Sequence, residues 1–543
     1  MEGSAVLPGY VSLLTARFLI GKVSTVQLFP FVVFLTLGIS VPTGSLGQST
    51  GAAEWPTGSF DQQRDGWQRN ENKFTVANAK NTRLLWKLKT DNKPMGMQSF
   101  REPVIVAGVP TPEGVKTVAI LAGSSDDVYA VDVANGSLLW QKHLKWSSDT
   151  PEEPGQGAGF ICNNGLTATP VVTPAGSAQR FVYVLSNDGY LHTLELATGE
   201  DKDPPIQMLP KPYGKAYGLN LANNVLYTAT GQGCHGIPNE LYAVDLTSKE
   251  AFSIPPQGGI FGTAGPAIGN DGTIYLETGD GVYDVVAGKL STTVQAYNSA
   301  GDALTLKDYY TPSNHVWLTK RDLDMNTTPV VFPYQGRDLL VGSGKEGRYF
   351  LMDSKSLGGP GHQTPLYRTP LLSNKNANFQ TEGTWGSFAS WEDKDGTRWV
   401  LAPVGGPVAV DFPVSYGPTP NGGVIALKLA DAGGKMELVP AWLSRDMMTA
   451  EPPVIANGVV FVLAAGEFTA QANDEDGGLY SYEQRIQHSI PAKLYALDAA
   501  TGKELYSSGD QIGSFLHQAG IAVAGGRVIF GTFDGTIYCF GLE

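Results

Sequence analysis

Asp126-Asp-Val-Tyr-Ala-Val-Asp-Val-Ala-Asn-Gly-Ser-Leu-Leu-Trp140 decides the fold, because it recurs as Ala492-Lys-Leu-Tyr-Ala-Leu-Asp-Ala-Ala-Thr-Gly-Lys-Glu-Leu-Tyr506. Weaker copies are Asp188-Gly-Tyr-Leu-His-Thr-Leu-Glu-Leu-Ala-Thr-Gly199, Asn239-Glu-Leu-Tyr-Ala-Val-Asp-Leu246, Glu346-Gly-Arg-Tyr-Phe-Leu-Met-Asp353, Gly422-Gly-Val-Ile-Ala-Leu-Lys-Leu429 and Asp534-Gly-Thr-Ile-Tyr-Cys-Phe-Gly541. Gly279-Asp-Gly-Val-Tyr-Asp-Val-Val286 stands as a poor eighth. The apolar run in each copy predicts a strand buried on both faces. The Ala-Asn-Gly or Ala-Thr-Gly that follows supplies a turn residue able to take positive φ. The large aromatic after the turn belongs to an outer strand that packs against the next unit.

Upstream of most copies lies a second strand pair, seen in Pro103-Val-Ile-Val, Thr169-Pro-Val-Val-Thr, Thr328-Pro-Val-Val-Phe and Pro452-Pro-Val-Ile. One unit is therefore about four strands, the size class of propellers and solenoids. No stretch shows a 3.6-residue apolar period, so helices are minor. The last copy stops at Glu543 without an outer strand, whereas Thr82-Arg-Leu-Leu-Trp86-Lys-Leu-Lys reads as an orphan outer strand with its aromatic in place. Pairing the two would remove exposed sheet edges. The expected fold is all-β: an eight-bladed β-propeller closed by pairing the N-terminal strand with the last blade. It would occupy residues 81–543, preceded by a lead-in segment over 48–80.

Composition agrees. The 543 residues include 66 Gly and 35 Pro, suited to many tight turns, and 42 % hydrophobic content against 17 % charged permits a large core. A net charge of −14 with no Lys/Arg-rich run excludes a nucleic-acid partner, whose phosphates need a basic footprint. Residues 1–47 carry only Glu2, Arg17 and Lys22 as charges, then an apolar run from Leu28 to Val41 and small residues near Ser45 and Gly47. That pattern predicts a signal peptide, or else an uncleaved anchor, and an exported protein in the periplasm or outside the cell. Cys162, Cys234 and Cys539 allow at most one intramolecular disulfide, and Cys539 reads as a buried, inert thiol.

The Tyr-Ala-h-Asp-x-x-Thr-Gly-x-x-h-Trp unit resembles the repeat of the pyrroloquinoline quinone (PQQ) propellers. Quinoprotein alcohol dehydrogenases, their polyvinyl-alcohol dehydrogenase relatives and a non-enzymatic outer-membrane assembly lipoprotein share it. The resemblance implies PQQ and Ca²⁺ at the axial mouth, with an Asp as base. Calcium takes hard oxygen ligands and polarises a quinone carbonyl, while a carboxylate accepts the alcohol proton. Carried over by motif, Lys320-Arg-Asp-Leu-Asp-Met-Asn-Thr-Thr-Pro resembles the segment of the base, which makes Asp322 its counterpart and Asp324 the alternative. Tyr227-Thr-Ala-Thr-Gly-Gln232 resembles a Tyr-x-Gly-Thr-Gly-Asn segment whose Asn ligates calcium, so Gln232 is a metal and cofactor candidate. Asp188 stands in for the family's ligating Glu, Asp322 joins the ligand set, and Trp385 offers a flat floor for the quinone.

Plain roles compete with these. Asp132, Asp245, Asp353 and Asp498 end strands before turns and suit backbone bonding. Gly231-Gln-Gly-Cys-His-Gly236 reads as a surface turn. Glu467, Asp474, Glu475 and Asp476 lack calcium-hand spacing and read as a solvated acidic loop. The function expected is a PQQ- and Ca²⁺-dependent dehydrogenase oxidising an alcohol or sugar-like substrate, with a separate electron acceptor. The alternatives are a PQQ-free scaffold for envelope protein partners and a non-catalytic carbohydrate or ligand binder.

Overall fold

The computed structural model describes residues 52–145, 162, 168–473 and 477–543. The expected signal segment 1–47 and the acids Asp474, Glu475 and Asp476 lie outside them. The described chain is eight antiparallel sheets arranged as propeller blades. Blade 1 runs Val104–Thr111, Gly114–Ala122, Asp127–Asp132 and Leu138–His143, from the axis outward. Blades 2 to 8 begin at Val171–Val172, Asn220–Ala222, Ala267–Ile268, Val330–Tyr334, Ala389–Glu392, Val454–Ala456 and Ala522–Ala524. Two short α-helices, His315–Lys320 and Tyr482–His488, two single 3-10 turns, Ala79–Asn81 and Cys234–Gly236, and two small two-stranded hairpins complete the described residues.

The ring closes as its sequence implies. Arg83–Lys89 pairs antiparallel with Thr536–Gly541 and becomes the outer strand of blade 8. The blade-to-blade joint is also the one read from the repeat. Trp86 Nε1 donates to the Val133 carbonyl at 3.0 Å, Trp140 to Leu196 at 2.9 Å and Trp442 to Ala499 at 3.0 Å. Each indole therefore lies against the turn of the next blade, where Gly136, Gly199 or Gly502 sits at φ +77°, +73° or +73°. A β-carbon at Gly199 would stand 2.5 Å from the Trp140 ring, so glycine there serves both conformation and close approach. The closing seam uses the same joint as the seams inside the chain.

The repeated Tyr-Ala-h-Asp strand is the third of each blade rather than the innermost, and its Asp caps the turn. Asp132, Asp245, Asp353 and Asp498 accept backbone N–H groups two residues on at 2.7–2.9 Å. One register differs from expectation. Gly279–Val286 is no blade strand: Tyr283–Asp284 pairs with Lys289–Leu290 in a small hairpin, and the third strand of blade 4 is Thr293–Ala300. The reason is burial. Val282, Val285 and Val286 are exposed, whereas residues 293–297 are all buried.

Residues 54–68 do what the sequence did not announce. They cross the axis and bond to the innermost strand of every blade. Trp55 exchanges two backbone bonds with Ile105, and the Pro56 carbonyl accepts from Val172. Gln62 Nε2 donates to Leu221, while the Gln62 and Gln63 carbonyls accept from Ile268 and Val331. Asp65 and Gly66 accept from Ser390 and Ile455, and Gln68 Nε2 reaches Val523. Arg64, fully buried, donates to the carbonyls of Gly58, Leu219 and Pro266 at 2.6, 2.8 and 3.3 Å.

Glu102 accepts the Trp55 indole at 2.7 Å and the Ser59 N–H at 2.8 Å, yet burial pushes its carboxyl up to about 7. The fold thus holds a proton that the unfolded chain, with a glutamate near 4.5, has released, so stability falls as pH rises across that interval. Urea midpoints should decline between about pH 4.5 and 7, and Glu102→Gln should flatten part of that decline.

Candidate active site

The loops joining second to third strands and those joining successive blades emerge on one face, which carries most of the long insertions; loop 354–366, between the third and fourth strands of blade 5, lies on the other. They enclose a cavity of about 440 Å³. Into it come Gln232, Asp280 and Lys345 from within blades 3, 4 and 5, and Asp322, Asp324 and Asn326 from the connection between blades 4 and 5. Glu382 and Trp385 enter from the connection that follows blade 5, and Glu467, Arg485 and His517 from blade 7 and beyond.

Asp280, Asp322 and Asp324 offer carboxylate oxygens within 4.8 Å of one another. Lys345 Nζ holds Asp324 at 2.6 Å and Asp322 at 3.4 Å, and it lies 5.3 Å over the Trp385 ring. The Asp280 N–H donates to Asp324 at 3.0 Å. Gly279 makes this possible, since a β-carbon there would stand 2.4 Å from the Asp324 side chain. Crowding has an electrostatic consequence. Burial, then the Asp324 charge, push Asp322 up to about 6 against the pull of Lys345, and Asp280 is raised for the same two reasons. Asp324 is buried and pinned in its ion pair, while Asp322 stays half-exposed.

Beneath the cluster, Glu277 ties the two segments that carry it. Its carboxyl accepts the Thr327 N–H and hydroxyl at 2.9 and 2.7 Å and the Ser343 N–H at 3.1 Å. Asn326 is 1 % exposed, lines the cavity, and neither atom of its amide has a hydrogen-bond partner. A buried, unpaired amide is costly unless something else meets it.

Across the cavity, Glu467 holds Arg485 and His517 at 2.7 Å each. Burial would raise Glu467, but His517 and Arg485 outweigh it and the net shift is downward. Lys215 also lines this side, and burial pushes it down to about 8.

Of the residues expected from sequence, Asp322, Asp324, Gln232 and Trp385 all line this one cavity. Asp188 does not line the cavity; it sits in the tight turn between the second and third strands of blade 2, bonded to the Ser186 hydroxyl. Glu467 is not a solvated acid but a buried one with two partners. Cys234 is likewise buried, in a disulfide to Cys162 72 residues away, so its loop is anchored rather than a free surface turn. Cys539 is a buried free thiol pushed up to about 12 by burial. Asp280, Asn326 and Lys345 escaped the sequence reading. Tyr275-Leu-Glu-Thr-Gly-Asp280 has nearly the form of Tyr227-Thr-Ala-Thr-Gly-Gln232 one blade earlier, and that signal was available.

Residues 64–254 match the family described as outer membrane protein assembly factor BamB. The fold is that of the PQQ-repeat propellers. Solved PQQ-repeat propellers align along nearly the whole chain at low identity. The quinohemoprotein alcohol dehydrogenase of Pseudomonas putida aligns with a TM-score of 0.58 and 14 % identity, over 90 % of this chain and 80 % of its own. That of Comamonas testosteroni gives 0.54 and 15 % over the same shares. A europium-containing methanol dehydrogenase gives 0.56 and 12 %, over 91 % and 99 %. No functionally curated protein matches the sequence.

Proposed function

We propose that this propeller is an exported PQQ- and divalent-cation-dependent dehydrogenase for an alcohol or sugar-like substrate. The observation that carries the proposal is the convergence, in one cavity, of a half-exposed carboxyl pushed up to about 6, a lysine over an indole face and a buried amide with no partner. PQQ is a flat quinone bearing three carboxylates, and these residues suit it. Trp385 offers a planar face, Asn326 an unspent amide, and Lys215, Lys345 and Arg485 positive charge. Asp280 and Asp324 supply the hard oxygens that a divalent cation takes.

When bound, the quinone accepts the hydride equivalent and the cation polarises its carbonyl. The chain's part is proton chemistry and positioning. Asp322 takes the substrate hydroxyl proton and is ionised for that task above about pH 6. Lys345 pins Asp324 against the wall, and Glu277 fixes the segments carrying Asn326 and Lys345. Electrons leave through a separate carrier, since the sequence has no Cys-x-x-Cys-His haem attachment site. Export is supported by the Cys162–Cys234 disulfide and the apolar stretch before residue 47. Titrating purified protein with PQQ and Ca²⁺ should quench tryptophan emission saturably at one quinone per chain, and Asn326→Ala should weaken that binding. Absence of binding at millimolar quinone overturns the proposal.

The match of residues 64–254 favours one second reading, a propeller that docks protein partners at the cell envelope. A partner recovered by pull-down whose binding survives Asp322→Asn would support it.

A further inference from the structure

The cavity wall built by blade 7 and by the connection from blade 7 to blade 8 has a chemistry that proton abstraction at Asp322 does not use. His517 and Gln518 stand on that connection, between Glu504–Ser507 and Ala522–Ala524, and both line the cavity. Among the described residues the His517 ring bonds through Nδ1 alone, to Glu467 Oε2 at 2.7 Å. Arg485 holds the other oxygen of Glu467, also at 2.7 Å, and the two partners keep that carboxyl below its usual value. An ionised carboxylate only accepts, so Nδ1 carries the proton and Nε2 keeps the lone pair. Burial pushes His517 below its ordinary value against the pull of Glu467, so the ring is neutral near pH 7. The side chain is 14 % exposed, and Nε2 is the atom it offers to the cavity.

Gln518 places its Oε1 on the same wall, buried and without a hydrogen-bond partner. Glu382 adds another acceptor from the connection after blade 5: the residue is 8 % exposed and its Oε2 has no partner. These acceptors face one cavity with no donor from the described residues, and a buried acceptor left unmet is costly. The missing partner is a molecule rich in hydroxyl groups. A hydroxyl both donates and accepts, so it can give its proton to Nε2 or Oε1 while receiving from Lys215, which lies within electrostatic reach of His517. A carboxylate has no proton to give, and an alkyl chain leaves every acceptor stranded. A mono-alcohol reaches one pole only, because the connection carrying Asp322 lies three blades round the ring from that of His517.

We propose that His517 and Gln518 form a hydroxyl-binding subsite, with Glu467 as the positioning residue for the imidazole. The alcohol presented to Asp322 is then a polyol or sugar, held at a second hydroxyl by this wall. The subsite stands on burial and bonding; only the role of Asp322 rests on the dehydrogenase reading.

Saturation-transfer NMR on the full chain, with no quinone and no electron acceptor present, compares xylitol with 1-pentanol, chains of equal carbon number. Xylitol should bind about tenfold tighter or more, the effect of at least two hydrogen bonds. Gln518→Met removes one acceptor and breaks no bond among the described residues, and it should weaken xylitol binding roughly fivefold. His517→Phe should weaken it at least as much, and His517→Gln, which restores an acceptor, should recover part of the loss. Thermal midpoints report whether each variant folds, and if His517→Phe does not, Gln518→Met decides alone. Xylitol binding no tighter than that of 1-pentanol, or unchanged in either folded variant, overturns the subsite. Xylitol binding without any uptake of quinone removes the dehydrogenase reading and leaves the subsite standing, whereas quinone uptake without a preference for xylitol does the reverse.

Discussion

Asp322→Asn should lower kcat/KM of the proposed alcohol oxidation by roughly a thousandfold, the middle of the range for losing a general base, while the thermal midpoint stays where it was. The fold has little reason to notice the change. Asp322 sits at φ +56°, where asparagine is among the residues best tolerated, and its side chain is half-exposed. Removing one of three crowded carboxylates also relieves repulsion within the trio. The wild-type rate should rise with pH through about 6, because only the ionised carboxyl can accept the proton. The residual rate of the variant should be flat over the same interval. A variant keeping more than about a tenth of the activity would remove Asp322 from the role of base, since even a modest general base contributes about a hundredfold. Loss of activity together with a lowered thermal midpoint would point to a structural role instead.

Arg64→Ala should destabilise the protein by about 3–5 kcal/mol, the cost of removing one member of a buried charged network. The guanidinium is fully buried and supplies hydrogen bonds to the carbonyls of Gly58, Leu219 and Pro266 and to the Thr57 hydroxyl; Leu219 and Pro266 keep bonds from Thr57 and Asn220, but Gly58 and Thr57 lose the bond it gave. It also faces the buried Glu102 carboxyl. The proper contrast is Arg445→Ala. Arg445 holds Glu504 at 2.7 Å with both side chains more than a third exposed, and solvent screening limits such a pair to about 0–1 kcal/mol. Urea unfolding of the two variants measures the difference directly. If Arg64→Ala falls within about 1 kcal/mol of wild type, the axial segment is a passenger rather than a brace.

The architecture was legible because each blade repeats a local rule. Trp140 and Gly199 show why: an aromatic in one unit and a positive-φ glycine in the next must coexist for blades to meet, so both leave a mark in the sequence. The orphan strand at Trp86 was legible for the same reason. The axial segment was not. Beyond the side chains of Gln62, Arg64 and Gln68, its bonds to the blades run through the backbone of Trp55, Pro56, Gln62, Gln63, Asp65 and Gly66, and backbone groups are identical whatever the side chain. Blade 4 misled because Val282, Val285 and Val286 imitate a buried strand although they lie on a surface hairpin. At the site, Asp322 and Asp324 could be found by motif. Asn326 and Lys345 could not, because their meaning lies in what surrounds them: an amide without a partner, and an ammonium held between two carboxylates and an indole.

The strand Arg83–Lys89 is among the first parts of the propeller to leave the ribosome, and Thr536–Gly541, to which it zips, is the last. A nascent chain therefore carries an unsatisfied edge from the time this strand is made until the last blade has emerged, with the axial segment waiting for walls that do not yet exist. Contacts of such long reach slow folding, and unpaired edges invite mispairing. An incomplete chain should accordingly be left as an open, aggregation-prone arc rather than a smaller wheel.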